Sequence, residues 1–398
     1  MSLESSCKHL RVAVITETYP PEINGVANTM GHLVVGLEVR DHQVDLVRPR
    51  QPREAPMPGH RVMLVPGLPI PGYPELRFGL PVYWRLRRIW RERRPEICYI
   101  ATQGPLGHAA LRAARSLDVP AITGFHTQFH HYSRHYGLGA LRHQIMRALR
   151  RFHNRSDATL VPTAELRDEL TARGFHGVHV FSRGVDTHLF SPQRRNAGLR
   201  RAWGCTETDL AVLYVGRLAS EKNIGLAVEA FEGICSEAPS ARFVLVGDGP
   251  ELPRLRKTHP QFRFTGTKTG VELAEHYASC DLFVFPSLTE TFGNVVPEAM
   301  ASGLPVIAFD YAAAGSHIRN RENGITVRSA DRASFVRRAV EAARDRPKLR
   351  SLGEQARLTT RELSWERVLE VFEQLLLEVV RQRTAAEGHH AATATPPK

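Results

Sequence analysis

The stretch "CDLFVFPSLTETFGNVVPEAMASGLPVIAFD" (280–310) reads as strand, loop, helix and strand. "DLFVF" and "PVIAF" are short apolar runs of strand type. "VVPEAMAS" is a short helix closed by Gly303, with Pro297 in its first turn, where a missing N–H costs nothing. Such a unit builds a parallel sheet with a right-handed crossover. Two carboxylates stand in it. Glu290 lies in the loop and Glu298 in the first helical turn, with the amides of Thr291, Phe292, Gly293 and Asn294 between them. A pair of carboxylates suggests a general acid and base. The amides between them point at whatever lies there, so the alternative is a pair that holds a ligand.

The same alternation runs through the chain. "RVAVIT", "QVDLVRP", "RPEICYIAT", "VPAITGFHT" and "DATLVPT" are strands of the first half, and Val26, Met30, Leu33, Val34 and Leu37 recur at helical spacing after the first of them. "LAVLYVGR", "ARFVLVGDG", "FRFTGT", "CDLFVFPS" and "LPVIAFD" are strands of the second. The expectation is an α/β chain of two Rossmann-like doubly wound domains facing one another across a cleft. The first spans residues 9–190, the second 200–365. A C-terminal helix over 366–384 packs back toward the first domain, and a disordered tail follows over 385–398, rich in Ala, Thr, His and Pro.

In open α/β sheets ligands bind beyond the carboxyl ends of the strands, so the loops there hold the chemistry. "TETYPPEINGVAN" places Asn24-Gly25 before a helix, whose amides and dipole favour an anion; the alternative is a turn that needs glycine. It is not a G-x-G-x-x-G fingerprint. "VGRLASEKN" brings Arg217 and Lys222 to a strand end beside a helix start, a good diphosphate site. "VGDGPEL" turns sharply at Gly247. His126 follows directly on a strand. The cluster His126, His130, His131 and His135 invites a metal reading through i, i+4 pairs, but no nearby carboxylate or cysteine completes the set.

The five cysteines are scattered without a C-x-x-C spacing, which fits a reducing compartment. The start lacks the pattern of a signal peptide, so a cytoplasmic protein is expected, peripheral on the inner membrane face if its acceptor is a lipid. Of the formal charge of +12, residues 1–195 carry +11 and the remainder +1. The basic half therefore expects an anionic partner. "GLPVYWRLRRIWRERR" (79–94) gathers Val82, Leu86, Ile89 and Trp90 on one helix face and arginines on the rest. It is either an interfacial helix on anionic lipid or a core-packed helix with a solvated basic back.

Taken together, the E-x7-E pair, "VGR", "EKN", "GDGPE" and "EAMASGLPVIA" resemble retaining family-4 glycosyltransferases of the GT-B fold, most of all the lipid-directed mannosyltransferases and glycolipid synthases. "PPEINGVANT", "FHTQF", "VPT" and "RGVDTHLF" extend the resemblance through the first half. It implies transfer of a hexose from a nucleotide sugar, GDP-mannose first and a UDP-hexose or UDP-uronic acid next, to a hydroxyl of a membrane glycolipid or lipid. It implies that Glu298 binds the ribose, and that Glu290, with the loop amides of Phe292, Gly293 and Asn294, binds the sugar. Arg217 and Lys222 would hold the diphosphate, Gly25 and Gly247 would line the donor site, and His126 would lie near the reacting centre. No metal or other cofactor is expected, because the two cations do that work. Two positions depart from the pattern: Asn24-Gly25 replaces paired glycines, and "YAAAGSH" (311–317) replaces a glycine-rich turn. Three other readings compete. One is a soluble glycosyltransferase with a small-molecule or polysaccharide acceptor. Another is a glycosidase using Glu290 and Glu298, whose carboxylates would flank a scissile bond. The last is a basic nucleic-acid-binding protein, for which no reading motif is present, so no nucleic-acid partner is expected.

Overall fold

The computed structural model describes residues 9–22, 24–51, 61–70, 73–125 and 142–393. The chain forms two compact units, Met1–Ser182 with Glu366–Lys398, and Arg183–Trp365. The crossing at 182/183 falls ahead of the join expected between 190 and 200. Val185 and Phe190 account for it, since both are buried in the apolar core of the second unit.

In the first unit β1 (Arg11–Ile15) leads through α1 (Gly25–Val39) to β2 (Gln43–Pro49) and β3 (Arg61–Val65). β4 (Gly67–Ile70) and β5 (Tyr73–Gly79) pair as an antiparallel hairpin. Then come α2 (Tyr83–Glu92), β6 (Ile97–Ile100), α3 (Pro105–Ser116), β7 (Ala121–Gly124), α4 (Arg142–His153), β8 (Ala158–Val161), α5 (Ala164–Ala172) and β9 (Val178–Val180). The described strands lie in the order β3-β2-β1-β6-β7-β8-β9, parallel throughout. β6 and β7 are buried along their whole length, as strands covered by helices on both faces must be.

The second unit begins with α6 (Ala197–Ala202) and continues through β10 (Ala211–Val215), α7 (Ile224–Glu237), β11 (Arg242–Val246), α8 (Leu252–Thr258), β12 (Arg263–Gly266), α9 (Gly270–Ser279) and β13 (Leu282–Phe285). It closes with α10 (Val295–Ala301), β14 (Val306–Phe309), α11 (Ala312–His317), β15 (Ile325–Val327), α12 (Arg332–Arg344) and α13 (Arg346–Thr359). The strand order is β12-β11-β10-β13-β14-β15, again parallel. The order reverses between β10 and β13. Such a switch point is where α/β sheets bind ligands. The loops that follow these two strands carry Arg217 and Lys222 after β10 and Glu290 after β13.

The last helix, α14 (Trp365–Thr393), belongs from Glu366 onward to the first unit. Phe372 packs edge-on to Tyr99 at 5.0 Å and beside Phe181 at 5.1 Å. Glu373 accepts from Arg40 at 2.7 Å and meets His42 at 3.0 Å. The disordered tail expected from Ala385 is instead helical through Thr393. Alanine and glutamate are strong helix formers, and extending an existing helix avoids the cost of nucleation. Among the described residues no helix is long and apolar enough to cross a membrane.

Candidate functional site

Each strand end in the second unit delivers one piece of the site. After β10 the chain makes a short 3-10 turn, Ser220–Lys222. Asn223 then takes a left-handed conformation (φ 56°) and α7 begins. Asparagine tolerates this region better than most residues. Its Nδ2 donates to the Pro286 carbonyl at 3.2 Å, and the Thr289 hydroxyl donates to the Glu221 carbonyl at 3.0 Å. These two bonds tie the loop after β10 to the loop after β13. Between them the Lys222 Nζ lies 2.6 Å from the Glu290 Oε1, which also accepts from the Ser287 hydroxyl at 2.9 Å. Both side chains of the ion pair are largely covered, at 17% and 18% exposure. The pair is therefore screened less than one at the surface, yet remains within reach of a ligand.

Arg217 shares the loop of Lys222. Its guanidinium is 47% exposed and lies 3.4 Å from Glu221. Its backbone carbonyl accepts from the buried Tyr214 hydroxyl at 3.2 Å. Gly247 follows β11 with φ 136°, and a Cβ there would stand 2.0 Å from the Gly216 carbonyl oxygen. Its lack of a side chain is thus required by the close approach of two strand-end loops.

Glu298 sits in the first turn of α10, as its distance from Gly303 suggests, and is half-buried. The Tyr277 hydroxyl donates to its Oε2 at 3.0 Å. Burial raises the Glu298 carboxyl to a pKa of about 7, only partly opposed by the Tyr277 bond. Before α10, Gly293 is left-handed (φ 88°), a conformation natural only to glycine, and packs on the Glu290 side chain. Phe292 is buried to 1% exposure. Among the described residues, the N–H groups of Thr291, Phe292, Gly293 and Asn294 have no acceptor. Donors without an acceptor among the described residues, next to a lysine, suit an oxygen-rich, anionic ligand.

The structure thus brings together Lys222 with Glu290, and sets Glu298 and the 291–294 amides on the same loop–helix segment. Tyr277, Ser287 and Tyr311 also contribute and carry no motif in the sequence. The Tyr311 hydroxyl donates to the Glu290 carbonyl at 2.9 Å. The non-glycine turn "YAAAGSH" still adopts the left-handed geometry, with Ala312 at φ 53°.

In the first unit Gly25 opens α1, but Asn24 caps that helix itself. Its Oδ1 accepts from Val26 N at 3.1 Å and Ala27 N at 2.8 Å. Two of the amides expected to face an anion are therefore already engaged. His126, with His130, His131 and His135, lies outside the described residues. The helix α2 resolves the choice posed by its sequence: Leu86 and Trp90 are buried in the unit's apolar core, with Val82 and Ile89 packed against it. Its apolar face is used by the protein. The outward face carries Arg85, Arg88 and Arg91, with Trp84 73% exposed.

Two doubly wound parallel sheets, one with a cation–carboxylate pair at its switch point, suit an enzyme that holds a phosphorylated, hydroxyl-rich substrate. A family model described as Glycosyltransferase Family 4 matches residues 23–189, and one described as Glycosyl transferases group 1 matches residues 209–345. The chain is 37% identical over 306 residues to a GDP-mannose-dependent alpha-mannosyltransferase of Mycobacterium tuberculosis, covering 76% of this chain and 79% of that one. It is 25% identical over 391 residues to the alpha-monoglucosyldiacylglycerol synthase of Acholeplasma laidlawii, 93% of this chain and 98% of that one. Among solved structures, sucrose-phosphate synthase from Thermosynechococcus elongatus superposes with a TM-score of 0.76 at 19% identity, over 95% of this chain and all of that one. The chain belongs to glycosyltransferase family 4.

Proposed function

We propose that the protein is a retaining, metal-independent hexosyltransferase that moves mannose from GDP-mannose to a hydroxyl of a membrane lipid or glycolipid. The observation that carries this reading is the 2.6 Å contact between Lys222 and Glu290. A lysine on the diphosphate and a glutamate on the sugar belong side by side only where the sugar–phosphate bond lies. The donor is taken from the mannosyltransferase relative and the lipid acceptor from the diacylglycerol-named one.

As the sugar–phosphate bond breaks, negative charge grows on the leaving diphosphate. Lys222 and Arg217 stabilise that charge, most strongly where water is excluded. The two cations take the part a metal plays in other transferases. The oxocarbenium-like sugar is attacked on the face the diphosphate leaves. The acceptor proton passes to a donor phosphate oxygen, so the configuration at the anomeric carbon is retained without a protein nucleophile. Glu298 accepts from the ribose hydroxyls.

A thermal-shift panel tests the donor. A ligand that binds only the folded state raises its melting temperature by mass action, so GDP-mannose should give a larger shift than UDP-glucose or UDP-glucuronate. A larger shift with a UDP-sugar would replace mannose as the donor.

The lipid acceptor is reached at a surface, and the outward face of α2 suits it. Arg85, Arg88 and Arg91 flank the exposed Trp84, and each basic residue near an anionic bilayer contributes ~1 kcal/mol. The protein is expected to float with liposomes containing phosphatidylglycerol and to stay below neutral ones. Replacing the three arginines by glutamine should abolish flotation; unchanged flotation would place the contact elsewhere.

A further inference from the structure

The loop that takes the sugar has no regular structure of its own. Gly293 is left-handed and the amides from Thr291 to Asn294 make no bonds among the described residues. Something outside the loop must fix its shape. Three contacts do so, at alternate residues. The Tyr311 hydroxyl donates to the Glu290 carbonyl at 2.9 Å, and the Ala313 N–H to the Phe292 carbonyl at 2.8 Å. Arg183, at 5% exposure, reaches the Asn294 Oδ1 from Nη1 at 3.3 Å and lays its guanidinium over the Phe292 ring at 5.8 Å.

Peptide planarity turns these contacts into an aiming device. In a trans peptide the C=O of one residue and the N–H of the next point in opposite directions. Latching the Glu290 and Phe292 carbonyls onto the 311–313 turn therefore points the N–H groups of Thr291 and Gly293 away from it. The turn can present the Tyr311 hydroxyl and the Ala313 amide together because Ala312 between them is left-handed (φ 53°), a conformation alanine adopts only at a cost. That strain, in a residue 5% exposed, is held in place by the contacts it makes possible.

We infer that Tyr311 and Arg183 are positioning residues that hold the 290–294 loop in the form that takes the sugar half of the donor. The inference rests on the donor reading above. It separates the donor into two halves: the clamp governs the sugar, whereas Glu298 and the diphosphate cations govern the nucleotide.

Tyr311→Phe removes one oxygen, and Arg183→Lys keeps the charge but loses the reach to Asn294. Calorimetry of each with GDP and with GDP-mannose tests the assignment. Each variant should bind GDP within about twofold of wild type but GDP-mannose about three- to tenfold more weakly, the worth of one hydrogen bond. Its KM for GDP-mannose should rise, while the melting temperature falls by no more than the loss of one hydrogen bond. Wild-type affinity for both ligands, or an equal loss for both, would overturn the clamp. If the wild type itself takes neither GDP nor GDP-mannose, the donor reading fails, and the clamp loses the ligand it was assigned.

Discussion

Lys222→Ala is expected to lower kcat about 10²- to 10³-fold, the scale on which removing one preorganised donor to developing negative charge acts. The lysine does two things at once. It neutralises Glu290 at 2.6 Å, so its loss leaves a largely covered carboxylate whose remaining described side-chain bond is to Ser287. In the proposed mechanism it also meets the diphosphate oxygens that carry the charge of the broken bond. Both effects act against the same substrate, because an unpaired Glu290 would repel the diphosphate. Lys222→Arg should recover little, since the longer, planar guanidinium does not fit a contact made by a point charge. Steady-state rates of transfer from GDP-mannose measure this; a Lys222→Ala enzyme within tenfold of wild type would remove the lysine from the reaction.

Glu298 gives the second large effect, and its sign depends on pH. Burial lifts its pKa from the ordinary 4.5 to about 7. In the proposed site Glu298 accepts from two ribose hydroxyls, and the ionised form accepts more strongly. Nucleotide affinity should therefore rise with pH below about 7, by up to about tenfold per unit, and level off above it. Stability runs the opposite way. A carboxyl whose folded pKa is raised stabilises the folded state fully below pH 4.5, and that contribution is lost as pH climbs through about 7. Glu17 in the first unit is likewise raised to about 7 by burial and adds the same stability trend. Glu298→Gln isolates the part that belongs to the site. It should weaken GDP binding about 10- to 150-fold at pH 8, the worth of a hydrogen bond to a charged group, and flatten the pH dependence of binding. Calorimetric titrations across that pH range decide it, and an equally steep profile in the variant would assign the titration to another group.

Much of the fold was legible because parallel α/β chains spell out their strands as apolar runs separated by helical periodicity. "QVDLVRP" is the strand β2 residue for residue. The β4–β5 hairpin was not legible: prolines and glycines crowd its strands, and pattern alone gives them no period. The crossing at 182/183 was missed because Val185 and Phe190 are isolated apolar residues in a polar stretch, and only packing shows which core claims them.

The candidate site divides in the same way. Glu290 and Glu298 lie within one strand–loop–helix unit, so spacing placed both. The Lys222–Glu290 contact joins residues 68 apart, and only the sheet order puts their loops at one switch point. Tyr277 and Tyr311 each act from a position 21 residues away from the glutamate they meet. No motif announces a tyrosine whose work is to hold another residue. Arg183 stood inside "RGVDTHLF", but its task became visible only when the chain folded Asn294 and Phe292 beneath it.

The central claim is that the cation–carboxylate pair at the second unit's switch point serves transfer of a hexose to lipid. Its most direct test is incubation of the protein with mannose-labelled GDP-mannose and liposomes containing diacylglycerol and phosphatidylglycerol, with label counted in the organic phase. The expected result is time-dependent label in lipid, with an α-anomeric product by NMR and no requirement for added divalent metal. Release of label as free mannose, with none in lipid, would contradict the account.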